Sequence, residues 1–178
     1  MNSSLRLRKI SLHDGLIIWQ MLQTLPENEN GFINPGFGKS IDEFPKLLEK
    51  LITDTQDEFV SAGFVPQTTF WLFLDQTPIG ICKIRHRLTK ALKKQGGHIG
   101  YAISPHYRSK GYGTKLLALA LLEAKNLGLK RILLTPYTQN FPSCKLIEKN
   151  GGVHKKTAHQ TSYYWIDLEE CVKNSEEK

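Results

Sequence analysis

Apolar residues fall along this chain in two rhythms, and the switches between them mark its elements. "LRLRKI" (5–10) alternates apolar and basic residues, the period-two pattern of a half-buried strand. "DGLIIWQMLQTL" (14–25) moves to helical spacing, with Asp14 as the expected cap. "PENENGFINPGFG" (26–38), dense in Pro, Gly and Asn, predicts a loop. In "SIDEFPKLLEKLITD" (40–54), Ile41, Phe44, Leu47, Leu48, Leu51 and Ile52 share one helix face, and Pro45 falls in the first turns, where proline is tolerated. "TTFWLFLD" (68–75) and "IGICKIRHRL" (79–88) are rich in β-formers and joined through "QTP", a hairpin signal. "TKALKKQGG" (89–97) reads as a basic connector and "HIGYAIS" (98–104) as a strand. A glycine turn and an apolar helix to about Leu127 follow, then a strand at "RILLTPY" (131–137). "FPSCKLIEKNGG" (141–152) is a helix stopped by its glycines, and "SYYWIDL" (162–168) a last strand.

This order, βααββ then β–helix–β–helix–β, predicts a mixed α/β fold. Its first half is antiparallel and its second holds a crossover unit. The 178 residues suit one domain over 1–170 with a polar tail at 171–178.

Charge narrows the partners. Lys and Arg number 24 against 17 Asp and Glu, a net +7 that favours anions such as a nucleotide, a nucleic acid or an acidic surface. The basic residues are spread along the chain without a nucleic-acid motif, so nucleic acid is not the expected partner. Cys82, Cys144 and Cys171 are odd in number and widely spaced, giving neither a disulfide framework nor a CxxC pair. The N-terminus has no apolar signal core, and the longest apolar run, Leu116 to Leu122, is too short to span a bilayer. A reducing cytoplasm is the expected location. His154 and His159 match no standard zinc spacing, so no metal is expected.

The candidate chemistry sits in "SPHYRSKGYGTKLLALALLEAKNL" (104–127). Gly111 and Gly113 permit positive φ and close approach to the backbone. The first N–H groups of the helix that starts near Tyr112 lack internal partners and, with the helix dipole, favour a phosphate. Arg108 and Lys110 add positive charge. A dinucleotide GxGxxG is excluded because its third glycine is Leu116. "GFGKS" (36–40) ends like a P-loop, but the opening glycine position is Ile33 and no apolar strand leads in.

The pattern [RQ]xxGx[GA], met by Arg108, Gly111 and Gly113, stands between the strand "GYAIS" and an apolar helix. "N..S..LIEKNGG" follows about thirty residues later. This block, about Gly97 to Gly152, resembles the acetyl-CoA signature of the GNAT superfamily of N-acetyltransferases. "NGFINPG" and "GGHIGY" resemble a bacterial branch of it. The resemblance implies a central, mostly antiparallel twisted sheet with two splayed strands, 98–104 and 131–137, flanked by helices. It implies acetyl-CoA as co-substrate, with pantetheine along the backbone near Ile103. The pyrophosphate would lie on N–H groups from Arg108 or Ser109 through Lys110, Gly111, Tyr112 and Gly113 to Thr114. Asn140 and Ser143, with Lys145 beside them, would face the cofactor.

The implied reaction is direct attack of a primary amine, small-molecule or peptide, on the thioester in a ternary complex. His98 stands where the family often has a glutamate, so it is the expected general base, against an ordered water or a histidine with no chemical role. Ile147 takes the place of the usual acidic tyrosine, leaving Tyr137, Tyr163 or Tyr164 as substitutes. For the acceptor, Glu27 and Glu29 are expected to hold a cationic amine and Phe32 and Phe37 to wall the pocket, unless this is a solvated acidic loop. Lys83, Arg85 and Arg87 alternate along one strand face that suits a carboxylate, a CoA phosphate or plain solvent. A non-catalytic CoA-binding module is the alternative function. Oligomeric state stays open, a homodimer included.

Overall fold

The computed structural model describes residues 4–169. The 171–178 tail and Cys171 lie outside them.

Strand β1 (Leu5–Lys9) leads into helix α1 (Leu16–Gln23). Asp14 does not cap α1. Its carboxylate accepts from the Ser11 N–H (2.9 Å), from Trp71 Nε1 (2.6 Å) and from Arg8, tying the entry turn to the sheet. The expected loop at 26–38 contains a small hairpin, β2 (Asn28–Glu29) and β3 (Phe32–Ile33). Its turn is Asn30-Gly31 with φ of 51° and 82°, an Asn-Gly signal of the type I′ turn. Asn34 then closes α1, its Nδ2 donating to the carbonyls of Leu22 (2.8 Å) and Leu25 (3.1 Å). In "GFGKS", a Cβ on Gly36 would come within 2.7 Å of Leu22, and Trp19 Nε1 donates to the Lys39 carbonyl (2.8 Å). Gly36 serves packing against α1, and Gly38 takes a positive φ of 67°.

A capping box between Ser40 and Glu43 starts a 3₁₀ turn that runs into α2 (Phe44–Thr53). Strands β4 (Gln67–Leu74) and β5 (Thr77–Arg85) form the expected hairpin. The basic connector holds a short helix, α3 (Lys90–Lys94), capped by Thr89. Strand β6 (Ile99–Ile103), the glycine turn, α4 (Tyr112–Asn126) and β7 (Arg131–Leu134) make the crossover. Helix α5 (Phe141–Lys149) follows. The chain then adds a strand that the hydrophobic pattern does not announce, β8 (Val153–Ala158), before β9 (Thr161–Asp167). β8 is almost wholly exposed and carries His154, Lys155 and Lys156, the dress of an edge strand.

Beside the two-stranded β2–β3 hairpin, the described residues form two larger antiparallel sheets, in the orders β1-β4-β5-β6 and β7-β9-β8. β4 is buried on both faces, which is why it reads as a continuous apolar run. Phe70 and Leu72 face α4 in a core with Leu116, Leu117, Ala120 and Ile147. Trp71 and Phe73 face α1 and α2, in a second core with Leu22, Phe44 and Leu48. β6 and β7 are neighbours that do not pair along their length, and the gap between them opens the cleft described below. No helix among the described residues is long and apolar enough to cross a membrane.

Candidate active site

The gap starts at His98. Its carbonyl accepts from the Arg85 N–H on β5 (2.8 Å), while its N–H donates to the Leu133 carbonyl on β7 (2.8 Å). Its imidazole Nδ1 accepts from the Leu133 N–H (2.9 Å). One residue thus joins both sheets at the apex, and the ring stands in for a ladder carbonyl. Gly97 is required beside it: its φ is +59°, and a Cβ there would lie 2.4 Å from the Leu133 oxygen.

Beyond this pin the strands part. The bonds from Arg85 N–H to the His98 carbonyl and from Ser104 N–H to the Ile79 carbonyl (2.9 Å) fix which β6 residues face β5. By antiparallel alternation, Gly100 and Ala102 also pair inward, and Ile99, Tyr101 and Ile103 turn their backbone groups toward the gap. The Ile103 carbonyl is taken by Arg108 Nε (2.9 Å).

A cleft of about 1090 Å³ fills the gap and runs to the start of α4. At that end Gly111, the N-cap of α4, has φ 80° and no side chain caps the helix. Apart from its chain neighbours, nothing lies within 4 Å of where a Gly111 Cβ would stand, and Gly111, Gly113 and Thr114 of this first turn line the cleft. Ser109 also takes positive φ, 60°, without being glycine, a strained residue that fits a backbone turned toward a ligand.

Of the expected cofactor residues, Ile103, Arg108, Ser109, Gly111, Gly113, Thr114, Asn140 and Ser143 line the cleft, as does Lys145. Lys110 and Tyr112 do not. Lys110 Nζ donates to the His106 carbonyl (3.1 Å), and Tyr112 packs beside Tyr107 and the core. Asn140 Oδ1 caps α5 by accepting from the Ser143 N–H (3.3 Å), and the Ser143 hydroxyl bonds the Tyr101 hydroxyl (2.7 Å).

The expected base is displaced. His98 is 8% exposed and is absent from the cleft wall. Burial, helped by Arg85 and Lys93, pulls its pKa down to about 4. Its Nδ1 lone pair is already used, so the remaining nitrogen carries the proton and has none to accept. The acidic loop is corrected too. Glu27 is exposed and lies off the cleft. Glu29 lines it, but both carboxylate oxygens accept from the Arg108 guanidinium, at 2.9 and 2.6 Å. Phe32 lies against Gly100 on the cleft wall, whereas Phe37 is exposed and off it. Among the substitute tyrosines, only Tyr137 lines the cleft, its hydroxyl accepting from Gln95. The Tyr163 hydroxyl donates to the Lys94 carbonyl (2.8 Å) and that of Tyr164 to Glu148 (2.9 Å).

The β2–β3 hairpin, passed over in the sequence, roofs the cleft. Glu29 meets Arg108, the Ile33 carbonyl accepts from Lys83 Nζ (2.9 Å), and a Cβ on Gly31 would touch Tyr137 at 3.5 Å. Lys83 and Arg85 line the same chamber from β5.

The sequence profile of the Acetyltransferase (GNAT) family matches residues 39–152, well over half the chain. YnaD of Bacillus subtilis (strain 168), named as an uncharacterized N-acetyltransferase, is 25% identical over 145 residues, spanning 78% of this chain and 68% of that one. Among solved structures, a GNAT-family acetyltransferase of Streptococcus pneumoniae superposes with a TM-score of 0.61 at 21% identity, covering 92% of this chain and 99% of that one. A spermidine N-acetyltransferase of Vibrio cholerae, solved as a dodecamer, superposes with a TM-score of 0.65 at 19% identity, over 97% and 98% of the two chains. At such identities the structural likeness establishes the fold.

Proposed function

The chain belongs to the GNAT acetyltransferase family, and from that premise we propose that it transfers the acetyl group of acetyl-CoA directly to a primary amine, both bound at once in the β6–β7 cleft. One observation carries the reading. An unpaired edge of β6 leads straight to an uncapped helix N-terminus, so a long ligand with an amide-bearing arm and a diphosphate fits both ends.

The residues present fit that co-substrate. Tyr101 and Ile103 offer N–H groups toward the gap, and the backbone from Ser109 through Thr114 offers N–H groups to a diphosphate. Acetyl-CoA supplies an activated thioester. A β6 N–H facing the gap stabilises charge developing on its carbonyl oxygen. Holding amine and thioester in one chamber removes much of the entropic barrier.

Proton handling falls to few groups. Glu29 is the one carboxylate among the described residues lining the cleft, and Arg108 holds it. The amine's proton therefore leaves to water through the cleft mouth. Tyr137, which lines the cleft just past β7, is the group assigned by this reading to protonate the departing thiolate.

The test couples two measurements: calorimetric binding of CoA, and release of CoA thiol from acetyl-CoA across a panel of primary amines. Binding with amine-dependent release is expected. Absence of CoA binding defeats the assignment, and binding without turnover for any amine makes the chain a CoA-binding module.

A further inference from the structure

Resting on that reading, we propose that the acceptor amine carries an anionic group, carboxylate or phosphate, a few bonds from its nitrogen, and that Lys83 and Arg85 hold it. The two residues alternate on β5 and so project from one face, the face of Ile81 and the α1–α2 core. Cys82 and Ile84 point the other way, toward α4. The pair is thus across the sheet from the helix whose N-terminus meets the diphosphate, which separates it from the cofactor's phosphates.

The charges around the pair do not balance. Among the described residues, Lys83 Nζ meets the Ile33 carbonyl (2.9 Å) and the face of Phe32 (4.9 Å to the ring centre). Arg85 Nη1 meets the Gly96 (3.1 Å) and Gly97 (3.0 Å) carbonyls. Those contacts are all to neutral groups, and no carboxylate among the described residues pairs directly with either charge, Asp54 acting on Lys83 only from a distance. Nearby Asp54 holds Lys50 (2.9 Å), and Glu29 is held by Arg108. Two half-buried like charges with no directly paired carboxylate among the described residues favour an anionic ligand. The Lys83 pKa is pulled down to about 8 chiefly by burial and then by Arg85, against a smaller opposing pull from Asp54. A polycation entering here would meet this pair of cations and, among the described residues, no carboxylate other than the Arg108-bound Glu29 on the cleft wall.

Reach sets the size of the acceptor. Lys83 stands opposite Gly100 in the β5–β6 register. Adjacent strands lie about 4.8 Å apart, so its ammonium and the gap-facing N–H of Tyr101 can address one small molecule. An amino-acid-like or phosphoamine acceptor fits that span.

Product-like probes test this without turnover. CoA-loaded protein is titrated with N-acetylglycine, N-acetylphosphoethanolamine, N-acetylglycinamide and N-acetylspermidine. At least one anionic probe is expected to bind about tenfold or more tighter than the amide and the polyamine. Lys83→Gln is expected to erase most of that preference with CoA affinity retained, and Arg85→Lys, which keeps a cation but loses the guanidinium fork, to weaken it less. The tighter anionic arm identifies the group. Equal or tighter binding of the amide or acetylspermidine, no binding of either anion, or an unchanged preference in Lys83→Gln would each overturn the inference. Loss of amine turnover with the preference intact would count against acetyl transfer and leave the anion site standing.

Discussion

Replacing His98 by glutamine separates a structural pin from a catalytic base. The amide oxygen of Gln can accept the Leu133 N–H, so the apex bond survives in kind while the titrating group is gone. In the native protein the imidazole pKa is lowered from 6.5 to about 4 by burial. A lowered folded pKa means that the unfolded chain takes up the proton first as pH falls. The stability that neutral His98 contributes is therefore present above about pH 6.5 and drains away down to about pH 4. Each unit in that window removes about 1.4 kcal/mol, so a move from pH 7.5 to pH 5 costs wild type about 2 kcal/mol through this residue. His86 and Glu43, whose pKa values are also lowered, act alike in both proteins and cancel when wild type and variant are compared. Urea unfolding at both pH values reads the difference. The wild-type midpoint is expected to fall by about 1 M more than that of His98→Gln, taking a slope of about 2 kcal/mol per M. The variant should keep the same acid limb in its rate profile. Parallel pH dependence of stability in the two proteins would refute the buried, neutral pin. Loss of the acid limb in the variant would restore His98 as the base.

Three further outcomes follow from the same geometry. Gly111→Val places a branched side chain at φ 80° in the mouth of the helix, and is expected to raise the CoA dissociation constant more than about tenfold with the fold retained; unchanged affinity by calorimetry would misplace the diphosphate. Gly97→Ala drives a Cβ to 2.4 Å from the Leu133 oxygen, and is expected to destabilise by about 2–4 kcal/mol in urea; a loss under about 0.5 kcal/mol would mean the apex yields freely. Glu29→Gln breaks a bidentate pair whose side chains are 38% and 37% exposed, so its stability loss should stay within about 1 kcal/mol; a larger loss by thermal unfolding would make the hairpin a structural strut rather than a roof.

What could be read in advance, and what could not, divides by sequence distance. The glycine turn and α4 were legible because their constraints are local: positive φ at Gly111, an apolar helix beginning at Tyr112, and Leu116 where a dinucleotide site needs glycine. The β2–β3 hairpin was legible in principle, since Asn30-Gly31 is a hairpin signal, but its strands are two residues each and lie in a Pro- and Gly-rich stretch that reads as loop. β8 gave no apolar rhythm because it pairs on one edge only and buries almost nothing. The chemical roles failed for a different reason. Whether His98 is a base depends on Leu133, 35 residues on, and whether Glu29 is free depends on Arg108, 79 residues on. Charge-bearing residue types announce capability, but partners assigned by strand register decide which capability is spent. The same register turns Lys83 and Arg85 from one stripe among several into a pair of cations on the cleft wall that no carboxylate among the described residues contacts. The acceptor's charge is accordingly better judged from those pairings than from the acidic look of "PENENG".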